Sequence, residues 1–290
     1  MTTDTFYITL PPQHLPALQG WSATPAHLAY RMGHGPRLLR CDGSIPPKGG
    51  LMVVDDQGFD GFGPILPFCQ ELVRECQTRG FSGAFLDFEG RLPPLEQLAA
   101  RLDELFAQRG WTLFVPEAYG LCAPKALVLI SSALSGGSLE GRLREAGERF
   151  GRDRLVLALQ RSAEDFSLPA PTGCGRPLSQ QELESLCIRL RPSVFFSHEL
   201  CARYFTYMTW ENGAHFVLFD DPDTLRRKVE VARSLGIHTF LAPWAEVSDC
   251  AEQLGLRRLP VQSPQRAAER RPRSSYPVSP DSSPQKSNKM

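Results

Sequence analysis

The sequence has little that would place the protein in a membrane or outside the cell. None of its segments approaches the roughly 18 apolar residues that a membrane-spanning helix needs. The N-terminal stretch MTTDTFYITLPPQHLP has no basic region followed by a long apolar core, which a secretion signal requires. We therefore expect a cytoplasmic protein without a membrane span.

The sequence also lacks the cysteine and histidine patterns of metal sites. Its eight cysteines include no Cys-x-x-Cys pair, and no cluster of His and Cys has the spacing of a zinc site. Glycine-rich nucleotide-binding loops and a Ser/His/Asp signature are missing as well. These absences favour reduced thiols and predict that the protein uses no metal and no cofactor.

An excess of positive charge, which nucleic-acid binding requires, is missing from most of the chain. The formal net charge of the sequence is zero, but residues 261–290 contain six Lys or Arg and only two Asp or Glu. Residues 1–260 therefore carry a net charge of −4, and we expect no nucleic-acid partner. The segment 261–290 is rich in Pro, Ser and Arg, and this composition predicts a disordered tail.

Short strand-like runs alternate with amphipathic segments through most of the remaining sequence. Strands are predicted at 51–56, 83–89, 112–117, 126–132, 154–159 and 237–244, and helices at 65–80, 93–110, 138–151, 221–236 and 248–256. Strands that alternate with helices over short connections form parallel sheets covered by those helices. The chain is long enough for a complete barrel of this kind.

The first fifty residues leave the opening strands undecided. AYRMG (29–33) and PRLLRC (36–41) would serve as the first two strands, although the connection between them is unusually short. YITL (7–10) is the competing assignment for a first strand. The pattern of apolar residues does not choose between these alternatives.

A different pattern interrupts the alternation before the last strand. The helix predicted at 179–190 begins with a capping box formed by Ser179 and Glu182. Close-set strands follow it, and the sequence ENG at 211–213 is a strong hairpin signal. We therefore predict a small α+β insertion at about 174–220.

Two carboxylates follow the strand-like run in FSGAFLDFEG (81–90). Side chains alternate between the two faces of a strand, so Asp87 and Glu89 share one face with Phe85. Two acids side by side at a strand end repel each other and lose hydration, which is unfavourable without some compensation. The pair is typical of acid–base chemistry at a strand end. The alternative is that the strand has already ended and both acids are solvated.

Three features together resemble glycoside hydrolase family 18, and the resemblance is closest to its branch of bacterial spore-cortex and cell-wall glucosaminidases. In that family the fourth barrel strand ends in Asp-x-x-Asp-x-Asp-x-Glu. The corresponding positions here are Ser82, Phe85, Asp87 and Glu89. The second feature is ENGAHFVLFDDPDTLRRKVEVARSLGIHTFLAPW (211–244), which is similar to the family's passage from its insertion into the last strand. The third is the order of these parts along the chain.

The resemblance implies an α/β fold, a TIM (β/α)8 barrel that occupies residues 1–260. It places the small α+β insertion at about 174–220, before the last strand, and leaves 261–290 as a disordered basic tail. The similarity itself covers roughly residues 50–250. Its closest branch also implies a bacterial protein with a spore-associated role.

The resemblance further implies a substrate-assisted, retaining glycosidase mechanism. Glu89 would protonate the glycosidic oxygen, and Asp87 would orient the acetamido group of the substrate, whose carbonyl oxygen attacks the anomeric carbon. Trp244 would form the floor of the sugar subsite. Ser132 stands where the family has a Tyr that holds the acetamido oxygen, but its side chain is shorter. Glu117 ends a strand at the same mouth, with a solvated loop position as its alternative.

Several positions depart from the family pattern. Phe85 replaces an Asp that would share a proton with Asp87, and QRS (160–162) replaces Pro-Leu-Tyr. Ser132 and Ala133 replace Tyr-Asp. We therefore expect weak activity on N-acetylglucosamine-containing glycans such as peptidoglycan or chitin. The alternative is a catalytically inactive barrel that binds a glycan or a protein partner, and a metal-dependent barrel enzyme with an acid-rich mouth is a third hypothesis.

Overall fold

The computed structural model describes residues 3–41, 47–169, 175–210 and 213–260, and the tail predicted at 261–290 lies outside them. The strands are β1 (Thr5–Leu10), β2 (Thr24–Gly33), β3 (Arg37–Arg40), β4 (Leu51–Asp55), β5 (Gly83–Asp87), β6 (Thr112–Pro116), β7 (Leu127–Ser131), β8 (Leu155–Ala158), β9 (Ala163–Ser167), β10 (Arg176–Pro177), β11 (Phe195–Ser197), β12 (Ala202–Thr209), β13 (Gly213–Phe219) and β14 (Thr239–Pro243). The helices are α1 (Leu15–Leu18), α2 (Ile65–Arg79), α3 (Pro93–Ala107), α4 (Leu139–Phe150), α5 (Gln180–Leu190), α6 (Pro222–Ser234), α7 (Trp244–Val247) and α8 (Ala251–Leu254). None of the helices described here has the length and apolarity that a bilayer crossing requires.

Eight parallel strands close into a barrel, which confirms the predicted fold class. Around the barrel they follow the order β1, β2, β4, β5, β6, β7, β8 and β14. The barrel is closed because β1 pairs with β2 on one side and with β14 on the other, where Phe6 lies opposite Phe240. Alternate strand residues such as Val53, Phe85 and Phe114 fill the barrel interior. The residues between them pack against the surrounding helices.

The first barrel strand is β1, so the structure decides the open assignment in favour of YITL. AYRMG (29–33) belongs to the second barrel strand, β2. The assignment of PRLLRC to a barrel strand was wrong, because β3 turns back and pairs antiparallel with β2, with Leu38 opposite Met32. Two parallel neighbours need a crossover connection of a dozen or more residues, and the short link between β2 and β3 cannot provide one.

Local capping explains where the helices of the barrel begin and end. The Ser138 hydroxyl accepts a hydrogen bond from a backbone N–H in the first turn of α4. Asp221 caps α6 by accepting from Thr224 N at 2.9 Å. Gly80 ends α2 with φ = 65°, a conformation that favours glycine. The helix predicted at 248–256 is shorter than expected, because only α8 forms there.

The insertion is a five-stranded antiparallel sheet that lies between β8 and α6 in the sequence. Its strand order is β10, β9, β13, β12, β11. β12 and β13 pair as the predicted hairpin, with Thr209 opposite Gly213. The leucines Leu183 and Leu186 of α5 pack on one face of this sheet against Phe205. Because β9 pairs with β13, the antiparallel sheet begins at Ala163 and not near 174 as expected.

A buried ion pair anchors the insertion to the barrel. The Lys228 ammonium lies 2.7 Å from an Asp220 carboxylate oxygen, and the side chains are 1% and 0% exposed. The same carboxylate accepts hydrogen bonds from the hydroxyls of Ser162 at 2.9 Å and Thr224 at 2.8 Å. Asp220 therefore joins the first and last residues of the insertion to α6, with its charge satisfied by several donors.

Candidate active site

The C-terminal ends of the barrel strands surround an open cleft of about 490 Å³. Its floor is apolar, because Phe85, Leu129 and Leu241 form the upper layer of the barrel interior. The polar side chains of its walls are Thr9, Asp87, Glu89, Arg91, Glu117, Ser131 and Gln160. Catalytic sites of TIM barrels lie at this end of the strands, so the cleft has the position of an active site.

Asp87 is the last residue of β5 and lies above Phe85 on the cleft side of the strand. Burial against the apolar floor, together with the negative charges of Glu89, Asp55 and Asp56, raises the pKa of its carboxyl group to about 6. No hydrogen bond to a described residue offsets this cost. Asp87 is therefore the group of the cleft that exchanges a proton in mildly acidic solution.

Glu89 lies beyond the end of β5 and its side chain is exposed at the wall of the cleft. The backbone around it is held in place, because Asp56 accepts hydrogen bonds from Glu89 N at 3.1 Å and Gly90 N at 2.9 Å. The Tyr119 hydroxyl donates to Gly90 O on the other side of the loop. Of the two acids, only Glu89 is exposed, so the alternative in which both acids of FSGAFLDFEG are solvated is wrong for Asp87.

Gly90 is required by this arrangement. A Cβ on Gly90 would lie 2.7 Å from the Asp56 carboxylate oxygen that accepts its backbone N–H. Any side chain would therefore push Asp56 away from the loop. The Asp56 carboxylate, just after β4, thus fixes the loop that carries Glu89.

Glu117 lies in the wall of the cleft but is engaged by arginines. It is the first residue of the short 3-10 turn after β6, and it forms an ion pair with Arg142 of α4. Arg149, further along α4, lies 3.9 Å from its other oxygen. Glu117 is therefore neither a solvated loop acid nor an unpaired acid that faces substrate.

Ser132 was expected in the sugar subsite, and the structure places it outside the cleft. It is fully buried, its hydroxyl accepts from Gln160 N at 3.1 Å, and its backbone N–H donates to Ala158 O at 2.9 Å. Strand alternation instead turns Ser131 towards the cleft, where its hydroxyl donates to Gln160 Oε1 at 2.8 Å. The prediction was one residue out of register.

Trp244 is also displaced from its expected role as the floor of the subsite. It begins α7 directly after β14, and its ring packs edge-on against Trp21 at a centroid distance of 5.8 Å. Pro243 occupies the cleft wall at this strand end. The change from strand to helix at Trp244 turns its side chain away from the mouth and into the packing between barrel and helices.

Sequence reasoning missed Arg91 and assigned no role to Ser131 and Gln160. All three lie at the C-terminal end of a barrel strand or within four residues after it, which is the signal that could have found them. Within the described part of the chain, no three His, Cys, Asp or Glu side chains converge as metal ligands would. Asp55, for example, is engaged by Arg31 Nε at 3.2 Å.

The fold is shared with solved chitinases and with a spore cortex-lytic enzyme. A chitinase from Chromobacterium violaceum has a TM-score of 0.64 at 14% identity, over 88% of this chain and 100% of that chain. The chain has a chitinase-like barrel. A class V chitinase from Pseudomonas fluorescens gives 0.64 at 13% identity, over 87% and 98%. The spore cortex-lytic enzyme SleL from Bacillus megaterium gives 0.58 at 14%, over 83% and 70%.

The similarity concerns the fold of the chitinase-like barrel and not its sequence. No protein-family model matches the chain, and no curated protein matches it. The structure nevertheless makes β5 the fourth barrel strand. Asp87 and Glu89 therefore stand at the end of the strand where the family resemblance implies the catalytic motif.

Proposed function

We propose that the protein is a weak glycoside hydrolase that acts on N-acetylglucosamine-containing glycans of the peptidoglycan or chitin type. One observation carries the proposal: Asp87 and Glu89 both line the open cleft at the mouth of a chitinase-like barrel. The apolar floor and polar walls of this cleft suit a sugar ring, which has apolar faces and a polar rim. The neighbours named as chitinases and as a cortex-lytic enzyme support a glycan as the substrate.

Glu89 is the proton donor in this proposal, and Asp87 orients the substrate. Asp87 accepts a hydrogen bond from the acetamido N–H, and its ionised carboxylate stabilises the positive charge that develops on the acetamido group. The acetamido oxygen then forms a bond to the anomeric carbon while the glycosidic C–O bond breaks and Glu89 gives its proton to the leaving oxygen. Water reverses the step and returns a proton to Glu89. The loop held by Asp56 presets the position of Glu89.

Low activity follows from the surroundings of Asp87. Phe85 lies beneath it in the barrel interior, where the resemblance implies an acid that would share its proton. The ends of β7 and β8 present Ser131 and Gln160 to the cleft, and neither carries the long phenolic donor of the family. The loss of a single transition-state donor costs about 10²–10³ in rate, which sets the scale of the expected deficit.

Turnover of N-acetylglucosamine oligomers and of purified peptidoglycan tests the proposal. Glu89→Gln keeps the shape of the side chain but cannot donate the proton, so we expect activity to fall by about 10² or more. Glu104→Gln is the matched control, because Glu104 is exposed on α3 and pairs only with Arg101 there. Equal activity of Glu89→Gln and the native chain would remove Glu89 from the chemistry.

A gain-of-function variant tests the explanation for the low rate. Ser131 and not Ser132 faces the cleft, so Ser131→Tyr is the substitution that restores a phenolic donor near the acetamido group. We expect a higher kcat with this variant and no gain with Ser132→Tyr, whose side chain would have to enter the buried environment of Ser132. A similar gain from both variants would contradict the placement of the donor.

A catalytically inactive, glycan-binding barrel is the second candidate, and the missing proton partner of Asp87 favours it. Calorimetric titration with the same oligomers separates the two. Binding in the micromolar to millimolar range without turnover by the native chain would select the binding protein over the hydrolase.

We propose a bacterial, spore-associated role in the same way, supported by the branch of the family resemblance and by the neighbour SleL. Immunodetection in purified spores and in the cytoplasm of vegetative cells tests it. Detection in the vegetative cytoplasm alone would overturn the association with spores.

A further inference from the structure

A second cavity opens directly beside the cleft and is lined by arginines. Its volume is about 350 Å³, and it shares Arg91 and Glu117 with the cleft. The other charged side chains around it are Arg142, Arg149 and Glu96. A substrate in the cleft can therefore extend from the acid pair into a space that contains three guanidinium groups.

The acids around this arginine-lined cavity do not use all of its donors. Glu117 binds Arg142 through one oxygen and approaches Arg149 only to 3.9 Å through the other. Arg149 is 52% exposed, and its guanidinium carbon lies 4.9 Å from the centre of the Phe150 ring. Arg91 forms no hydrogen bond or ion pair with any described residue. Arg91 and Arg149 thus keep free donors.

Glu96, the remaining acid of the cavity, has its own source of stabilisation. It lies in the first turn of α3, where the partial positive charge of a helix N-terminus favours an acidic side chain. Its carboxylate forms no ion pair with Arg91 within the part of the chain that is described. The charge of Arg91 is therefore not cancelled by this acid.

The loop that presents Arg91 is the one that presents Glu89. Gly90, between them, is held by Asp56 at its N–H and by the Tyr119 hydroxyl at its C=O. Tyr119 itself lines the arginine-lined cavity. The proposed proton donor and Arg91 are therefore kept close together on one short, anchored segment.

We propose that the arginine-lined cavity binds a carboxylate of the glycan, so that the substrate is an acidic N-acetylglucosamine polymer and not neutral chitin. The inference rests on the proposed function and specifies its substrate. Guanidinium groups donate paired N–H bonds that match the two oxygens of a carboxylate, whereas a neutral sugar offers no charge to balance Arg91. Two kinds of sugar supply such a group: the lactyl ether of peptidoglycan and a uronic acid.

Binding to the full-length chain with Glu89→Gln, which cannot cleave its ligand, tests the inference. Four tetrasaccharides are compared by calorimetry: N-acetylglucosamine alone, a peptidoglycan unit with free lactyl carboxylates, the same unit with these groups amidated, and one containing uronic acid. We expect the carboxylated probes to bind up to about fivefold more tightly than the neutral ones, which is the upper end of the range for an exposed ion pair. Of the two carboxylated probes, the lactyl and the uronic acid tetrasaccharide, the one that binds more tightly identifies the sugar that carries the carboxylate.

Arginine variants show whether the cavity is responsible. Arg91→Gln and Arg149→Gln, added to the same background, should remove most of this preference, because each should weaken the binding of the carboxylated probes more than that of the neutral tetrasaccharide. Arg144→Gln is the matched control on α4, since Arg144 pairs with Glu140 away from the cavity and should change nothing. The preference should also decrease as salt is raised from about 50 to about 300 mM, because exposed ion pairs are screened.

The two proposals fail in different ways. Equal affinity for the free and the amidated probes, unchanged by Arg91→Gln, would overturn the carboxylate site. The proposed function would still stand in that case, provided that Glu89→Gln loses the activity of the native chain. If no tetrasaccharide binds to the Glu89→Gln variant and none is cleaved by the native chain, both the proposed function and the carboxylate site are overturned.

Discussion

Replacement of Asp87 by Asn should make the folded protein more stable. The carboxyl group of Asp87 is buried against the apolar floor of the cleft, which raises its pKa from the ordinary value of 3.8 to about 6. Each pKa unit between the folded and unfolded states corresponds to about 1.4 kcal/mol. The ionised carboxylate therefore lowers the free energy of unfolding by up to about 3 kcal/mol at neutral pH. Asn has nearly the same shape and carries no charge, so the variant should recover much of this free energy.

The stability that Asp87→Asn gains over the native protein should increase as the pH rises. Between pH 3.8 and about 6 the folded protein holds a proton on Asp87 that the unfolded chain has released, so this group lowers the stability of the native protein as the pH rises through that range. The advantage of Asp87→Asn should therefore be absent near pH 3.5 and complete above about pH 7. For a chain of this size it corresponds to roughly 5–10 °C in Tm.

Thermal unfolding of both proteins at several pH values measures the effect. Asp55→Asn is the matched control, because Asp55 lies opposite Asp87 on the adjacent strand but is engaged by Arg31 Nε and by Gln57 N. Removal of its charge should leave stability unchanged or lower it by about 1 kcal/mol. An advantage of Asp87→Asn that is the same at every pH, or a loss of stability at pH 7.5, would refute the electrostatic argument. If the protein is a hydrolase, Asp87→Asn should also lose activity, because groups placed for catalysis often reduce the stability of the fold.

Four further predictions concern the site, the buried ion pair, the anchored loop and the tail. If the protein is a hydrolase, kcat/KM should fall below an apparent pKa of about 6, because protonated Asp87 has lost the negative charge that stabilises the acetamido group as it becomes positive; a pH–rate profile that stays level down to pH 4.5 would exclude this role. Lys228→Ala should lower the free energy of unfolding by about 3–5 kcal/mol, because it leaves Asp220 charged and buried, whereas Arg226→Ala on the exposed face of α6 should cost less than about 1 kcal/mol in the same denaturant titration. Gly90→Ala should reduce kcat or glycan binding while Gly136→Ala, whose Cβ would meet nothing within 4 Å, should not, and equal effects of the two would separate the loop from the site. Truncation after Pro260 should shift Tm by no more than a few degrees, since the composition of 261–290 offers too little apolar area to offset the entropy of ordering it, and a larger drop would contradict the sequence-based prediction.

Much of the barrel could be predicted from the sequence because its signals are local. The strand LMVVD, the capped helix after Ser138 and the hairpin between β12 and β13 each depend on residues within a few positions of one another. A run of apolar side chains, a cap or a turn has the same meaning wherever the chain later packs. The acids at the end of β5 were singled out on the same local ground, although the strand ends at Asp87 and alternation therefore places only Asp87.

The remainder of the site depends on register, which no local signal sets. A shift of one residue exchanges the two faces of a strand end, and this separates Ser131 in the cleft from Ser132 in the core. Trp244 likewise lies outside the cleft because a helix begins at that residue.

Long-range contacts decided the first strand and the charges beside the cleft. The sequence by itself determined the alternation of strands and helices and the insertion hairpin, and it singled out Asp87 and Glu89 as candidate site residues. Only the closed barrel showed that β1 joins β14, because that pairing links residues more than two hundred positions apart. Only the tertiary structure brought Arg91 to the same cavity as Arg142 and Arg149, since the barrel packs helix α4 beside the loop that follows β5.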